Sequence, residues 1–221
     1  MFIINYKNYE EISGKKAAKL AKTASKVAKK HRIKIAVAPP SHLLSALDGY
    51  SGIILAQHVD NAKVGSTTGF VVPELLKKSK ITGSLINHSE HRIPESDIAA
   101  IVKKLRELEM ISVVCVKDVE EAAKYAKLNP DYIAIEPPEL IGTGRAVSTE
   151  RPELITNAAM AIQSEKNNTK LLCGAGIVTG MDVRKAIELG AEGILVASGI
   201  IKAKDWESII DEFAKGMRKK D

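Results

Sequence analysis

Thr169-Lys170-Leu171-Leu172-Cys173-Gly174-Ala175-Gly176, the segment from Thr179 to Gly190, and Gly193-Ile194-Leu195-Val196 together decide the fold class. The first stretch is a short apolar run, read as a strand over 169–173, that ends in a turn of small residues. Thr179 is a good helix N-cap and Gly190 a good stop, so a helix is expected over 179–189. Residues 193–196 then supply the next strand. Short β-type runs that alternate with helical segments imply a parallel sheet covered by helices.

The same unit recurs along the rest of the chain. A helix over 13–30 places Ala17, Leu20, Ala21, Ala24, Val27 and Ala28 on one face and its lysines on the other, as a helix packing on a flat surface requires. A strand over 33–38 stops at Pro39-Pro40, and a short helical segment follows near 41–47. The apolar run 53–56 precedes a short helix over 73–79 opened by Pro73. Ser84-Leu85-Ile86-Asn87 reads as a strand, and Pro94 opens a helix with Ile98, Ile101, Val102, Leu105 and Leu108 on one face. A strand at 111–116, a helix at 118–127, a strand at 131–136 and a helix at about 150–163 lead into the unit quoted first. A helix over 206–217 ends the pattern. Eight such units, with no linker or composition break between them, predict a single domain over 1–221. Eight parallel strands with outer helices can close into a (β/α)8 barrel or form an open doubly wound sheet, and the count favours the barrel.

Composition narrows the function classes. Of 221 residues, 45% are hydrophobic and 27% charged, and mean hydropathy is near zero. A chain of this kind can bury a large core and is not disordered. No apolar stretch approaches the ~20 residues of a membrane span. Asn5 and Lys7 interrupt the apolar start, so no signal-peptide core is expected and the protein is placed in the cytoplasm. Cys115 and Cys173 sit inside apolar runs and read as buried free thiols of a reducing compartment. The net charge of +6 fits an anionic substrate, plain lysine solvation or nucleic-acid binding. With three Phe and one Trp, platforms for base stacking are scarce, and nucleic acid is the weakest of these.

In a barrel of this type, chemistry sits where strands end and loops begin. Asn5 and Lys7 follow the first apolar run, His88-Ser89-Glu90 the fourth and Glu136-Pro137-Pro138 the sixth. Gly174-Ala175-Gly176 follows the seventh run and Ala197-Ser198-Gly199 the eighth. Taken singly, each is ordinary: a surface carboxylate, a packing histidine (as expected for His31, His42, His58 and His91), a solvated lysine, a capping glycine. Independent structural residues would fall on both ends of the fold, whereas these converge on one rim. The loop from Pro137 to Thr149 is longer than the ~2–6 residues usual between strand and helix. Stiff at its two prolines and flexible at Gly142-Thr143-Gly144, it is built like a closing lid. No Cys/His cluster has metal-ligand spacing, and the glycine turns lack a nucleotide fingerprint, so neither metal nor cofactor is expected.

Glu136-Pro137-Pro138-Glu139-Leu140-Ile141-Gly142-Thr143-Gly144 resembles the glutamate and lid segment of the triosephosphate isomerase family. Asn87-His88-Ser89-Glu90 is similar to that family's histidine segment and Asn5-Tyr6-Lys7 to its first-strand signature, in the same order over nearly the whole chain. The likeness is greatest to the short archaeal branch and implies a TIM barrel. It implies that Glu136 is the general base, His88 the electrophile and proton shuttle, and Lys7 the positive charge, supported by Asn5. Glu90 would be the buried carboxylate near that lysine. Ile141, Gly142, Gly176, Ala197 and Ser198 would hold the phosphate of a triose phosphate. Residues 60–70, with Thr68 near the tip, resemble a loop that reaches into a neighbouring subunit, which implies a homo-oligomer, dimer or tetramer. Pro138-Glu139, Gly176 and His91 depart from the commonest family residues at their positions. The rival readings are another phosphosugar barrel isomerase, a scaffold barrel without catalysis and, from a different class, a basic nucleic-acid-binding protein.

Overall fold

In a computed structural model, which describes residues 1–218, eight parallel strands close into one barrel in sequence order. The strands are β1 (Phe2–Asn5), β2 (Ile35–Ala38), β3 (Ile53–Ala56), β4 (Gly83–Ile86), β5 (Ile111–Val116), β6 (Tyr132–Ile135), β7 (Lys170–Cys173) and β8 (Gly193–Val196). Closure comes from β1 and β8, where Phe2 pairs with Ile194 and Ile4 with Val196. The sequence left an open sheet possible. The β1–β8 ladder excludes it. The last three residues of the expected 1–221 domain lie outside the described residues.

Side chains alternate across each strand, so every strand feeds two cores. Ile3, Leu55, Leu85, Val113, Leu172 and Leu195 point inward, with Ala36, Ala38 and Ala134 filling the narrower spaces. Phe2, Ile4, Ile35, Val37, Ile133, Ile135 and Ile194 point outward onto the helices. Truncating one of these large buried residues to alanine costs about 2–5 kcal/mol.

The outer layer is α1 (Lys15–His31), α2 (Pro73–Lys78), α3 (Glu95–Glu107), α4 (Val119–Ala126), α5 (Val147–Glu150), α6 (Pro152–Ser164), α7 (Gly180–Glu188), α8 (Ser198–Ile201) and α9 (Trp206–Gly216). The helix at 179–189 begins as the sequence predicts. Thr179 accepts from the Asp182 N–H and the Asp182 side chain accepts in return from the Thr179 N–H, a full capping box. The short helical segment expected near 41–47 is a 3-10 helix, Ser41–Leu47. One expectation changes in detail. The helix expected at 150–163 is two, α5 and α6, broken at Arg151 (φ −142°) because the residue before Pro152 is driven out of the helical region. Both cysteines are buried and unpaired. Among the described residues no helix is long and apolar enough to cross a membrane.

Candidate active site

Glu136 begins where β6 ends, its N–H donating to the Val116 carbonyl at 2.8 Å. That bond continues the ladder by one residue and aims the carboxylate into the barrel mouth. Gly174, just past β7, makes room for it: a Cβ at this position would overlap the Cγ and Cδ of Glu136. The carboxylate is 7% exposed, with the buried thiol of Cys115 beside it. Burial raises its pKa above the usual carboxylate value, and His88 and Lys7 pull partly in the other direction.

His88 comes from the end of β4, two strands from β6 around the same mouth. Asn87 precedes it at φ 61°, held by its amide, which donates to the Cys115 carbonyl at 3.2 Å and accepts from the Ile93 N–H at 3.2 Å. The Glu90 N–H donates to His88 Nδ1 at 3.2 Å. A ring nitrogen that accepts carries no proton, so the imidazole is neutral with its hydrogen on Nε2. That Nε2 lies 3.3 Å from Glu136 Oε2, yet neither atom makes a well-directed hydrogen bond. Two buried polar atoms without partners cost about 1–3 kcal/mol each, and here they lie side by side at the mouth.

Lys7 follows β1 in a left-handed conformation, φ 46°, that is rare for a side chain of this size. Asn5 Oδ1 accepts from the Lys7 N–H at 3.0 Å. The Gln57 amide donates to Asn5 Oδ1 and to the Lys7 carbonyl, both at 3.2 Å, and to the Ala38 carbonyl at 2.9 Å. Gln57 thus ties β2, β3 and the strained turn after β1 together, a role the sequence reading missed. Lys7 Nζ pairs with Glu90 Oε1 at 2.6 Å. Glu90, expected to be buried, is 56% exposed at its side chain. It lines an open cavity of about 550 Å³ at the barrel mouth with Asn5, Lys7 and His88.

The expected phosphate-binding residues converge as well. Ile141, Gly142, Gly176, Ala197 and Ser198 line one narrow cavity of about 30 Å³ that also contains Glu136, Lys7 and Asn5. Lys7 and Asn5 form the wall shared with the larger cavity. The segment expected to act as a lid lines this side through Ile141, Gly142 and Gly144. A 3-10 turn at Pro138–Leu140 forms its rigid start, and Thr143 Oγ1 donates to the Leu140 carbonyl at 2.9 Å. Its far end rests on the β7 turn, where a Cβ on Gly176 (φ 69°) would overlap the Arg145 carbonyl. Arg151 pairs with Glu139 at 2.9 Å, an exposed ion pair between this segment and the start of α6. The other histidines divide. His31 is buried against Asp211, but His42 is exposed, and His58 and His91 stack on each other at the cavity wall.

A buried glutamate, a neutral histidine and a tethered lysine around one narrow cavity can move a proton next to a carbonyl. Comparison with known proteins agrees: the triosephosphate isomerase family profile matches residues 1–213. The chain belongs to the triosephosphate isomerase family. It is 58% identical to the triosephosphate isomerase of Cenarchaeum symbiosum over 217 residues, covering 98% of this chain and 97% of that protein. It is 44% identical to the Methanothermus fervidus enzyme, with 98% of each chain covered. With the Methanocaldococcus jannaschii enzyme it shares 43%, over 97% of this chain and 99% of the other. Membership in an isomerase family decides among the readings that the sequence left open.

Proposed function

We propose that this chain, a single (β/α)8 domain, interconverts dihydroxyacetone phosphate and D-glyceraldehyde 3-phosphate through an enediolate, serving glycolysis and gluconeogenesis in the cytoplasm. The observation that carries this reading is the facing pair of unpartnered buried atoms, His88 Nε2 and Glu136 Oε2, 3.3 Å apart. Glu136 removes the proton from the carbon next to the carbonyl. Its raised pKa makes it a stronger base than an exposed glutamate. Charge then develops on the carbonyl oxygen, where the Nε2–H of His88 and the ammonium of Lys7 meet it. A neutral imidazole can give that proton and take one back, whereas imidazolium gives its proton without easily recovering it. This division of labour between glutamate and neutral histidine is the long-described one for triosephosphate isomerase.

Asn5 and Glu90 keep Lys7 in place, and the turns at Ile141-Gly142, Gly176 and Ala197-Ser198 hold the phosphate. No metal or cofactor takes part. The lid from Pro137 to Gly144 keeps water from the enediolate, which would otherwise lose phosphate. Association into a dimer or tetramer, through the loop at 60–70 entering a neighbour's open cavity, would cover Glu90. The test is turnover of glyceraldehyde 3-phosphate by the purified protein, with Glu136→Gln alongside. Fast turnover that disappears in the variant is expected. A folded Glu136→Gln protein with near-normal activity would remove Glu136 from the role of base.

A further inference from the structure

His58 and His91 lie outside the groups that the reaction requires, yet their rings stack with centroids 4.1 Å apart and planes 19° from parallel. His58 Nε2 is 3.0 Å from Asp60 Oδ1. Asp60 closes the base of the loop at 60–70 through its N–H, which donates to the Val71 carbonyl at 2.9 Å. Its Oδ2 accepts from the Val71 N–H at 2.6 Å. On the other side of the stack, the His91 N–H donates to the His88 carbonyl at 2.8 Å and closes the turn that carries His88 and Glu90. A continuous set of contacts therefore runs from the loop base, through Asp60, His58 and His91, to the backbone of His88. Both rings stand on the wall of the open cavity beside Lys7, Tyr9, His88 and Glu90.

We propose that His58 and His91 are positioning residues that couple the base of the 60–70 loop to the catalytic turn, and that the coupling loosens when both imidazoles are protonated. This rests on the isomerase reading above. The charges around the pair set the direction. Asp60 faces His58 and balances one imidazolium there. Burial works against the Asp60 carboxylate, but the Val71 N–H and the two imidazoles hold it below its usual range. Glu90, the carboxylate on the cavity wall, is engaged by Lys7 at 2.6 Å, and Lys7 and His88 add no negative charge. A second proton, on His91, therefore sets two cations face to face with one carboxylate free to answer them. The rings separate, and the 88–91 turn loses its brace. His88 feels this because its tautomer depends on the Glu90 N–H of the same turn.

The pair is tested by kcat/KM profiles of the wild type, His91→Phe and His91→Ala between about pH 5 and pH 8, the range in which imidazoles change charge. Phenylalanine keeps a ring to stack on His58 but cannot be protonated; alanine removes the ring. His91→Ala is expected to lower kcat/KM about tenfold across the range, mainly through kcat, as misplacement of a reacting group does. His91→Phe is expected to lose less than His91→Ala at pH 8 and to show an acid limb shallower by one proton. Hydrogen-exchange protection of the Val71 amide, corrected for intrinsic rates, should fall toward pH 5 in the wild type and stay level in His91→Phe. Superimposable acid limbs in wild type and His91→Phe, or wild-type kinetics in His91→Ala, would overturn the pair while leaving the isomerase reading intact. A folded wild type without any turnover would overturn both.

Discussion

At the end of the barrel where the strands begin, left-handed backbone is inexpensive. Arg32, Lys80, Glu109, Asn129 and Lys166 all have positive φ, and each follows the last turn of a helix, where such a residue closes the cap. At the end where the strands finish, Lys7, Asn87 and Ala175 have the same sign of φ, but they follow β1, β4 and β7 and cap nothing. Polar groups divide in the same way. At the first end, Asp131 Oδ2 accepts from both the N–H and the hydroxyl of Ser112 at 2.9 Å, and Thr169 donates to the Pro130 carbonyl at 2.8 Å. At the second, His88 Nε2, Ser89 Oγ and Glu136 Oε2 are buried without a partner. One end is built for stability and the other holds its strain at the rim that carries Lys7, His88 and Glu136.

The largest effect should come from removing charge at the strained end. Glu136→Gln is expected to reduce turnover by about a thousandfold or more, the size of a general base's contribution, without lowering the melting temperature. The sign follows from burial. Glu136 is raised in the folded state, so its ionisation opposes folding once the pH passes the ordinary glutamate value of about 4.3. The stability gain of Glu136→Gln should therefore grow between pH 4 and pH 7, and a variant that melts lower at pH 7 would break the comparison. Gly174→Ala ranks next. Its Cβ would push against the Glu136 side chain, and a displaced base costs about a hundredfold in kcat. Unchanged kinetics in Gly174→Ala would mean that the carboxylate has room to spare.

A change at the opposite end should reverse the pattern. Asp131→Ala strands the Ser112 N–H and hydroxyl and is expected to cost about 3 kcal/mol of stability, read by urea unfolding. Its kcat should stay at the wild-type value. A fall in kcat in the folded variant would show that the two ends are not separable.

The two ends also differ in how far they could be read from sequence. Apolar runs, Thr179 as a cap and Pro94 as a helix opener place the elements, because periodicity and capping are local. Glu136, His88 and Lys7 are legible because each follows an apolar run directly, and in a barrel that position alone sends them to one rim. Gln57 holds the same kind of position after β3, but its task is to hold the backbone of Lys7, and a left-handed turn at lysine leaves no mark in composition. Gly174 reads as an ordinary turn glycine; that it clears space for Glu136 depends on β6 and β7 being neighbours. The exposure of Glu90 was hidden for a related reason, since what lies over a strand-end residue is decided by distant loops.

The smallest expected effect lies at the side of the barrel, between α1 and α9, and concerns stability alone. Asp211 on α9 lies 2.7 Å from His31 Nε2 and 2.6 Å from Lys30 Nζ, with Lys215 Nζ at 2.9 Å. The side chains of His31, Lys30 and Lys215 hold its carboxyl well below the usual aspartate range. A depressed folded-state value means that the pairing stabilises fully above the unfolded value, about 3.9, and that this contribution is lost as the pH falls below it. Asp211→Asn is thus expected to melt a few degrees below the wild type equally at pH 7 and pH 5, with the gap closing below pH 4. Lys30 and Lys215 are largely exposed, so salt should shrink the gap as well. A gap that stayed constant from pH 7 to pH 3 would mean that the asparagine fails through shape, with the buried imidazole of His31 left unmatched, and that charge is not what binds α1 to α9.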